Sequence, residues 1–282
     1  METSFERVGI WGVGLIGGSL GMAIKRAAPR TRVLGLGRDT ARLSRACELG
    51  AIDAFELDNP RALRDCDLVI LATPIEHILL ILESLRDHLA PGAVVTDAGS
   101  TKRRICQLAW DRLPSTVEFI GGHPVAGREV TGVENSLAEL FDNAPYVLCP
   151  GPHSIPENLS RLRTFVELLG AWPVIMTPED HDRAIARVSH LPQLLSTVLA
   201  NFTDVEETEI AGSGLRDMLR LAGSSYSIWR GIFDTNADNI DAALEEFVRH
   251  LQLARSALRE GKLSENFKDA QACYRKIKPS NP

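Results

Sequence analysis

The sequence predicts an α/β protein in two parts: a doubly wound parallel sheet over residues 1–176 and an all-helical domain over residues 177–282. Three observations predict it. Short apolar runs alternate with helix-patterned segments through the first half, the order that gives a parallel sheet with helices on both faces. The first of those runs ends in Gly12-Val-Gly14-Leu-Ile-Gly17. Beyond Thr177 no strand pattern is present, and apolar residues recur at three- and four-residue intervals.

The expected strands are Val8–Trp11, Val33–Leu36, Leu68–Ala72, Val94–Thr96, Glu118–Ile120, Tyr146–Leu148 and Trp172–Met176. Between them, Ser19–Ala28 closed by Pro29, Ala41–Leu49, Ile75–Leu89 and Ile155–Leu169 ending at Gly170 read as crossover helices. Thr177-Pro178-Glu179-Asp180 combines an N-cap, a proline at the first helical position and an acidic first turn. Ala184, Val188, Leu191, Leu195, Val198 and Phe202 then mark one face of a long helix, which Pro192 should kink, leaving the Val188 carbonyl without its donor. Ile240, Leu244, Phe247, Leu251, Ala254 and Leu258 mark another long helix, stopped by Gly261. Lys278–Pro282 reads as a loose tail.

With 282 residues the chain can bury a sizeable core, and 44% hydrophobic with 24% charged residues is ordinary for a globular protein. A net charge of -6 supplies no basic footprint for nucleic acid or an anionic membrane, so an anionic ligand must be held by a few placed cations. The five cysteines, Cys47, Cys66, Cys106, Cys149 and Cys273, are scattered and odd in number, which supports neither a disulfide framework nor a zinc site. A reducing cytoplasm fits best. Glu2, Glu6 and Arg7 beside a strand do not form a signal peptide, and the apolar run His77–Leu82 is too short to span a membrane.

The glycine loop carries the first functional signal. Gly12 permits a tight turn, Gly14 lets the backbone approach a pyrophosphate, and Gly17 lets helix and strand pack closely. The helix that follows offers free N–H groups and a positive dipole end to phosphates. Strand before and helix after make this a Rossmann-type dinucleotide site. In the NAD fingerprint a carboxylate about twenty residues on binds the ribose 2′-hydroxyl. Here the second strand ends in Gly37-Arg38 instead, leaving room and a cation for a 2′-phosphate, which favours NADP. The other reading has Arg38 in solvent and Asp39 binding the ribose of NAD.

Several further segments carry chemistry: Asp97-Ala-Gly-Ser100-Thr-Lys102, Gly121-Gly-His123-Pro-Val-Ala-Gly127, Asp180-His181-Asp182, Ser189-His190-Leu-Pro-Gln193 and Leu215-Arg216-Asp217, with Trp229 further on. In this order, after the glycine loop, they resemble the prephenate and arogenate dehydrogenases of tyrosine biosynthesis over essentially the whole chain. The resemblance implies a Rossmann-type sheet plus a helical, 6-phosphogluconate-dehydrogenase-like domain, paired across a homodimer. It implies oxidative decarboxylation of prephenate to 4-hydroxyphenylpyruvate, of arogenate to tyrosine, or of both, with hydride transfer to NAD(P). It does not separate the two substrates. Gly12, Gly14, Leu15, Ile16, Gly17, Arg38 and Thr73 are the expected cofactor contacts.

His123 lies between glycines and Pro124 after a strand, which places it on a loop at the ligand-binding edge of the sheet. Oxidising an alcohol needs a base for the hydroxyl proton, and histidine titrates near neutrality; a loop-capping histidine is the plain alternative. Ser100 can hydrogen-bond a substrate oxygen and a ring nitrogen, orienting His123, or can cap the helix beginning at Thr101. The resemblance makes His123 and Ser100 the catalytic residues. His190 is a core histidine or, as the resemblance implies, a substrate contact. Arg216 follows two glycines and suits bidentate capture of a substrate carboxylate, the role the resemblance gives it. The alternative pairs it with Asp217 or a first-turn acid, with Arg220 as backup for the carboxylate. His181, flanked by acids in a first helical turn, reads as capping and dipole compensation rather than metal binding. Tyr226 and Trp229 read as core. Two rivals share parts of this pattern. A β-hydroxyacid dehydrogenase or imine reductase has the architecture, but the former uses a lysine that Ala211–Asp217 lacks. A non-catalytic dinucleotide sensor would make no demand for His123, Ser100 and Arg216 together.

Overall fold

The computed structural model describes residues 5–128 and 130–277; the tail expected at Lys278–Pro282 lies outside them. Five strands, β1 (Arg7–Trp11), β2 (Arg32–Gly37), β4 (Leu68–Leu71), β5 (Val94–Asp97) and β6 (Glu118–Phe119), form a parallel sheet with β3 (Ala54–Leu57) at its edge, in the order β3-β2-β1-β4-β5-β6. β4, Leu-Val-Ile-Leu, is buried at every position because both faces are covered. Leu68 and Ile70 pack with Leu20 and Ile24 of α1 (Leu15–Ala27) on one face. Val69 and Leu71 pack on the other with Ile78 and Leu82 of α3 (Ile75–Leu85) and with Ile105 of α4 (Arg103–Arg112). The connections from β1 and β4 leave in opposite directions, so a crevice opens between their C-terminal ends. α2 (Thr40–Glu48) follows β2.

Sequence reasoning missed two strands. β3 has one half-buried residue, Phe55, among exposed ones, and β2 is its only strand partner among the described residues. His123 lies not on a loop but in β7 (Gly121–Pro124), antiparallel to β8 (Pro145–Cys149) with His123 opposite Val147. β9 (Trp172–Ile175) completes this second, three-stranded sheet, reached through α5 (Pro156–Leu168). Gly-Gly-His-Pro has little intrinsic preference for a strand. Its glycines are required by clearance: a Cβ at Gly122 would lie 2.4 Å from the Asp97 carbonyl oxygen, and one at Gly121 2.5 Å from the Cys106 sulfur. The bare backbone lets β7 press against the end of β5 and carries His123 there.

From Pro178 onward the described residues are helical or in turns. α6 (Pro178–Ile185) is capped by Thr177, whose Oγ1 accepts from the Asp180 N–H at 3.1 Å. A single π-helical turn, Ala186–His190, joins it to α7 (Leu191–Phe202), with Leu191 N–H donating to the Ala186 carbonyl. Pro192 falls in the first turn of α7, where no N–H is needed, so the chain answers the proline by widening the preceding turn. That turn shifts the helical face, and Val188, expected in the stripe, is 71% exposed. α8 (Ser213–Leu219), α9 (Tyr226–Arg259) and α10 (Ser264–Ile277) follow. α9 stops as expected at Gly261, whose φ is +70°. Tyr226, expected in the core, is 67% exposed at the start of α9.

Candidate active site

The crevice beside β1 has a volume of about 740 Å³ and is lined by Gly12, Gly14, Arg38, Thr73 and His77 among others. Its floor is the glycine loop. Gly12 has φ +101°, a Cβ at Gly17 would strike the Gly12 carbonyl at 2.0 Å, and around Gly14 no atom lies within 4 Å of that position. The first and third glycines thus serve the turn and the packing, while the second leaves the backbone open to the crevice. At the far end, the Asp39 carboxylate is occupied. It caps α2 through the N–H groups of Ala41 (3.0 Å) and Arg42 (3.2 Å) and pairs with the Arg42 side chain at 3.3 Å. The Asp58 carboxylate accepts from the Trp11 indole at 3.1 Å. Arg38 is exposed on the crevice wall and makes no ion pair among the described residues. A Cβ at Gly37 would meet only Leu43, at 3.7 Å, so space does not demand glycine there.

His123 is buried, and its Nδ1 lies 2.8 Å from Nε2 of His181. His181, itself buried, places its Nδ1 2.8 Å from Oδ1 of the fully buried Asp182. A carboxylate can only accept, so His181 carries its proton on Nδ1 and offers a lone pair at Nε2. His123 must then donate from Nδ1, which leaves its Nε2 as a free acceptor. Asp182 is anchored in turn: its oxygens accept from the backbone N–H groups of Lys102 (2.7 Å) and Arg103 (3.0 Å). It thereby caps α4, the part foreseen as an alternative for Ser100, and ties α6 to the sheet. Burial pushes the Asp182 carboxyl up, but the His181 ring and the Arg103 and Lys102 N–H groups outweigh it, and the net shift is downward. Burial, then the neighbouring His181, Lys102 and His190, hold His123 well below the ordinary histidine range, so it stands neutral and ready to accept.

Behind β7, Lys102 and Asp97 form a fully buried ion pair. Lys102 Nζ also donates to the Gly122 carbonyl at 2.7 Å, and Asp97 accepts from the N–H groups of Gly122 (3.0 Å) and Gly99 (2.9 Å). These bonds fix the strand next to His123. Ser100 sits half-buried on the same β5–α4 connection but makes no side-chain hydrogen bond among the described residues. His181, not Ser100, orients His123, and His181 is no mere cap.

His190 is buried at the π turn, 6.0 Å edge-on from Trp229. The amide nitrogen of Asn236 lies 2.8 Å from the Asp182 carbonyl oxygen and 3.3 Å from His190 Nδ1. That nitrogen can only donate, so His190 Nδ1 accepts and the ring proton sits on Nε2, a buried donor with no partner among the described residues. Burial chiefly lowers His190, to about 4. Asn236 is buried at a non-helical break within α9. Arg216 is exposed on α8 and makes no ion pair among the described residues, so the expected alternative of pairing with Asp217 does not occur. Arg220 lies in the next turn. Sequence reasoning missed His181, Asp182, Lys102, Asp97 and Asn236 as site residues. The first four stand inside the motif segments, but the contacts that make them site residues, His181 to His123, Asp182 to the Lys102 N–H and Lys102 to Gly122, span 58, 80 and 20 residues. The described residues contain no cluster that could hold a metal ion and no helix long and apolar enough to cross a membrane, and all five cysteines are free.

A glycine-loop crevice in a doubly wound sheet and a buried neutral histidine with a free acceptor nitrogen are the parts that a dehydrogenase requires. Family models for the nucleotide-binding and dimerization domains of prephenate dehydrogenase match residues 20–176 and 177–270. The chain is 33% identical to the prephenate dehydrogenase of Bacillus subtilis over 274 residues, covering 95% of this chain and 72% of that protein. A crystal structure of prephenate dehydrogenase from A. aeolicus, in complex with hydroxyphenyl propionate and NAD+, superposes with a TM-score of 0.90 at 30% identity, over 98% of this chain and 100% of that one. Arogenate dehydrogenase of Synechocystis superposes with a TM-score of 0.81 at 32% identity, over 96% of this chain and 98% of that one. The chain belongs to the prephenate dehydrogenase family, whose members carry out oxidative decarboxylation in tyrosine biosynthesis.

Proposed function

We propose that this chain oxidises the ring hydroxyl of prephenate or arogenate, with loss of the ring carboxylate as carbon dioxide, and that it prefers NADP. The observation that carries the reaction is the buried chain Asp182–His181–His123, which leaves His123 Nε2 able to accept a proton. A bound nicotinamide dinucleotide supplies the hydride acceptor. Gly12, Gly14, Leu15, Ile16 and Gly17 would hold its pyrophosphate, with Thr73 and Arg38 on the same crevice wall. His123 takes the hydroxyl proton, and the positive charge it gains is stabilised through His181 by Asp182. Ser100 holds the same hydroxyl from the β5–α4 connection. His190 donates from Nε2 to an oxygen of the substrate side chain, and Arg216, with Arg220 beside it, binds a carboxylate. Cleavage of the ring–carboxylate bond returns its electron pair to the ring, and the gain of aromaticity makes the reaction one-way.

The NADP reading rests on the end of β2, where Gly37 replaces a carboxylate, Asp39 is spent on α2, and Arg38 is left to meet a 2′-phosphate. Residues 1–176 act as the dinucleotide domain and 177–282 as the substrate-binding and dimerisation domain. Val198, Phe202, Ile210, Leu251, Leu253 and Phe267 leave the helical part with exposed apolar side chains, which a second copy would cover in a homodimer. Assaying both substrates with both cofactors tests the reading, with Arg38→Ala alongside. NADP should be favoured, and Arg38→Ala should weaken NADP binding by about 1–3 kcal/mol more than NAD binding. Equal weakening of both would sink the cofactor assignment, and dinucleotide binding without turnover of either substrate would leave a sensor.

A further inference from the structure

We infer that Gln193 forms a subsite for an ammonium group, so that the substrate this chain is built for carries an amino-acid side chain rather than a 2-oxo-acid one. The inference rests on the dehydrogenase reading above and narrows its substrate. Gln193 stands on α7 one turn beyond His190 and is 4% exposed. Its Nε2 donates to the Leu221 carbonyl at 2.9 Å, and because a carbonyl only accepts, this bond fixes which way the amide faces. Oε1 is then left buried with no partner among the described residues. Gln193 contributes to the wall of a cavity of about 390 Å³, together with Gly127 and Arg128 at the end of the His123 segment and Trp229, which packs against His190. The cavity therefore adjoins the side-chain end of the proposed site.

The two candidate substrates differ only at that end. A 2-oxo acid presents a ketone oxygen and a carboxylate, both acceptors, and would set an acceptor against Oε1. An amino acid presents an ammonium with three donors, any one of which satisfies it. Among the described residues Arg128 is the one charged residue on the wall, exposed and without an ion pair. Its charge serves the carboxylate that both substrates share and cannot tell them apart. Discrimination falls to the amide oxygen, because a site built to hydrogen-bond a group rejects the analogue that leaves its buried polar atom unpaired.

The test is kcat/KM for arogenate and prephenate with the wild type, Gln193→Met and Gln193→Glu. The wild type should favour arogenate by about tenfold or more. Gln193→Met should lower the arogenate-to-prephenate ratio by about 10- to 100-fold, while Gln193→Glu, which keeps an acceptor, should hold or raise it. Prephenate turned over as well as arogenate by the wild type, or an unchanged ratio in Gln193→Met, overturns the inference and leaves the dehydrogenase reading standing. Failure with both substrates removes both readings together. A second measurement does not depend on any variant folding: calorimetric titration of the wild-type chain, loaded with cofactor, should show L-tyrosine binding more tightly than 4-hydroxyphenylpyruvate. Equal affinities would overturn the subsite.

Discussion

His123 and His190 are both buried, both neutral at physiological pH, and both end in an Nε2 that no described residue occupies. Their neighbours give them opposite chemistry. His123 donates from Nδ1 into His181 and so keeps a lone pair at Nε2, whereas His190 accepts at Nδ1 from Asn236 and so carries its proton at Nε2. One is made an acceptor and the other a donor by a single hydrogen bond on the far side of the ring. The role of a buried histidine is thus written in the residue behind it, here His181 in α6 and Asn236 in α9. The two are joined through one residue, since Asp182 holds His181 with its side chain and Asn236 with its carbonyl.

The largest effect that would break this contrast is loss of the acceptor itself. His123→Asn should keep dinucleotide affinity and lower kcat by about 10²–10⁴-fold, as expected when a positioned base is removed. Steady-state kinetics with cofactor titration check it, and near-normal turnover would reduce His123 to a strand residue.

The next effect tests the partner. His181→Phe removes the acceptor facing His123 Nδ1, freeing His123 to adopt the wrong tautomer, and kcat should fall by about 10–10³-fold with the melting temperature tracked alongside. His181→Gln restores an amide oxygen within reach of the same nitrogen and should recover about tenfold of that loss. A purely structural role for His181 predicts instead that kcat follows stability in both variants, with no separate rescue.

These partners explain what could be read in advance. The glycine loop was legible because its geometry is local: the turn, the open backbone and the close packing each depend on a glycine at fixed spacing from a strand and a helix. His123, Ser100 and His190 could be singled out by type and context, but their arrangement could not. His181 lies 58 residues from His123, and its acidic neighbours in a first helical turn pointed to capping, which Thr177 carries out by accepting from the Asp180 N–H. β7 was illegible because its strand character comes from pairing with β8 and from the clearance that Gly121 and Gly122 provide, not from its own preferences. Phe202, expected on the buried stripe of its helix, is 79% exposed, since no other described part of the chain covers it.

Acid stability gives a third, smaller test. His190 titrates near 4 in the folded chain and near 6.5 when unfolded, so below about pH 6.5 the unfolded state binds more protons. The stability that His190 contributes is therefore present above pH 6.5 and is lost as pH falls toward 4. Between pH 8 and pH 5 the loss from this residue is about 2 kcal/mol. His190→Asn should reduce the difference in denaturation free energy between those pH values by about that amount, whatever the substitution costs at both. An unchanged pH dependence would mean that His190 is not buried as a neutral ring.

The smallest effect separates donor from acceptor in the substrate complex. If His190 gives its Nε2 proton to an oxygen of the substrate side chain, His190→Asn should raise KM by about tenfold, the value of one hydrogen bond to a charged or strongly polar group, and change kcat much less. His190→Gln, whose amide can place a donor nearer the position of Nε2, should restore part of the affinity, whereas His190→Leu should not. The same replacements at position 123 would lower kcat and leave substrate affinity nearly untouched, because there the lost atom acts on the reacting hydroxyl. A fall in kcat with constant KM at position 190 would mean that both histidines serve the chemical step, and the contrast set by Asn236 and His181 would have no functional counterpart.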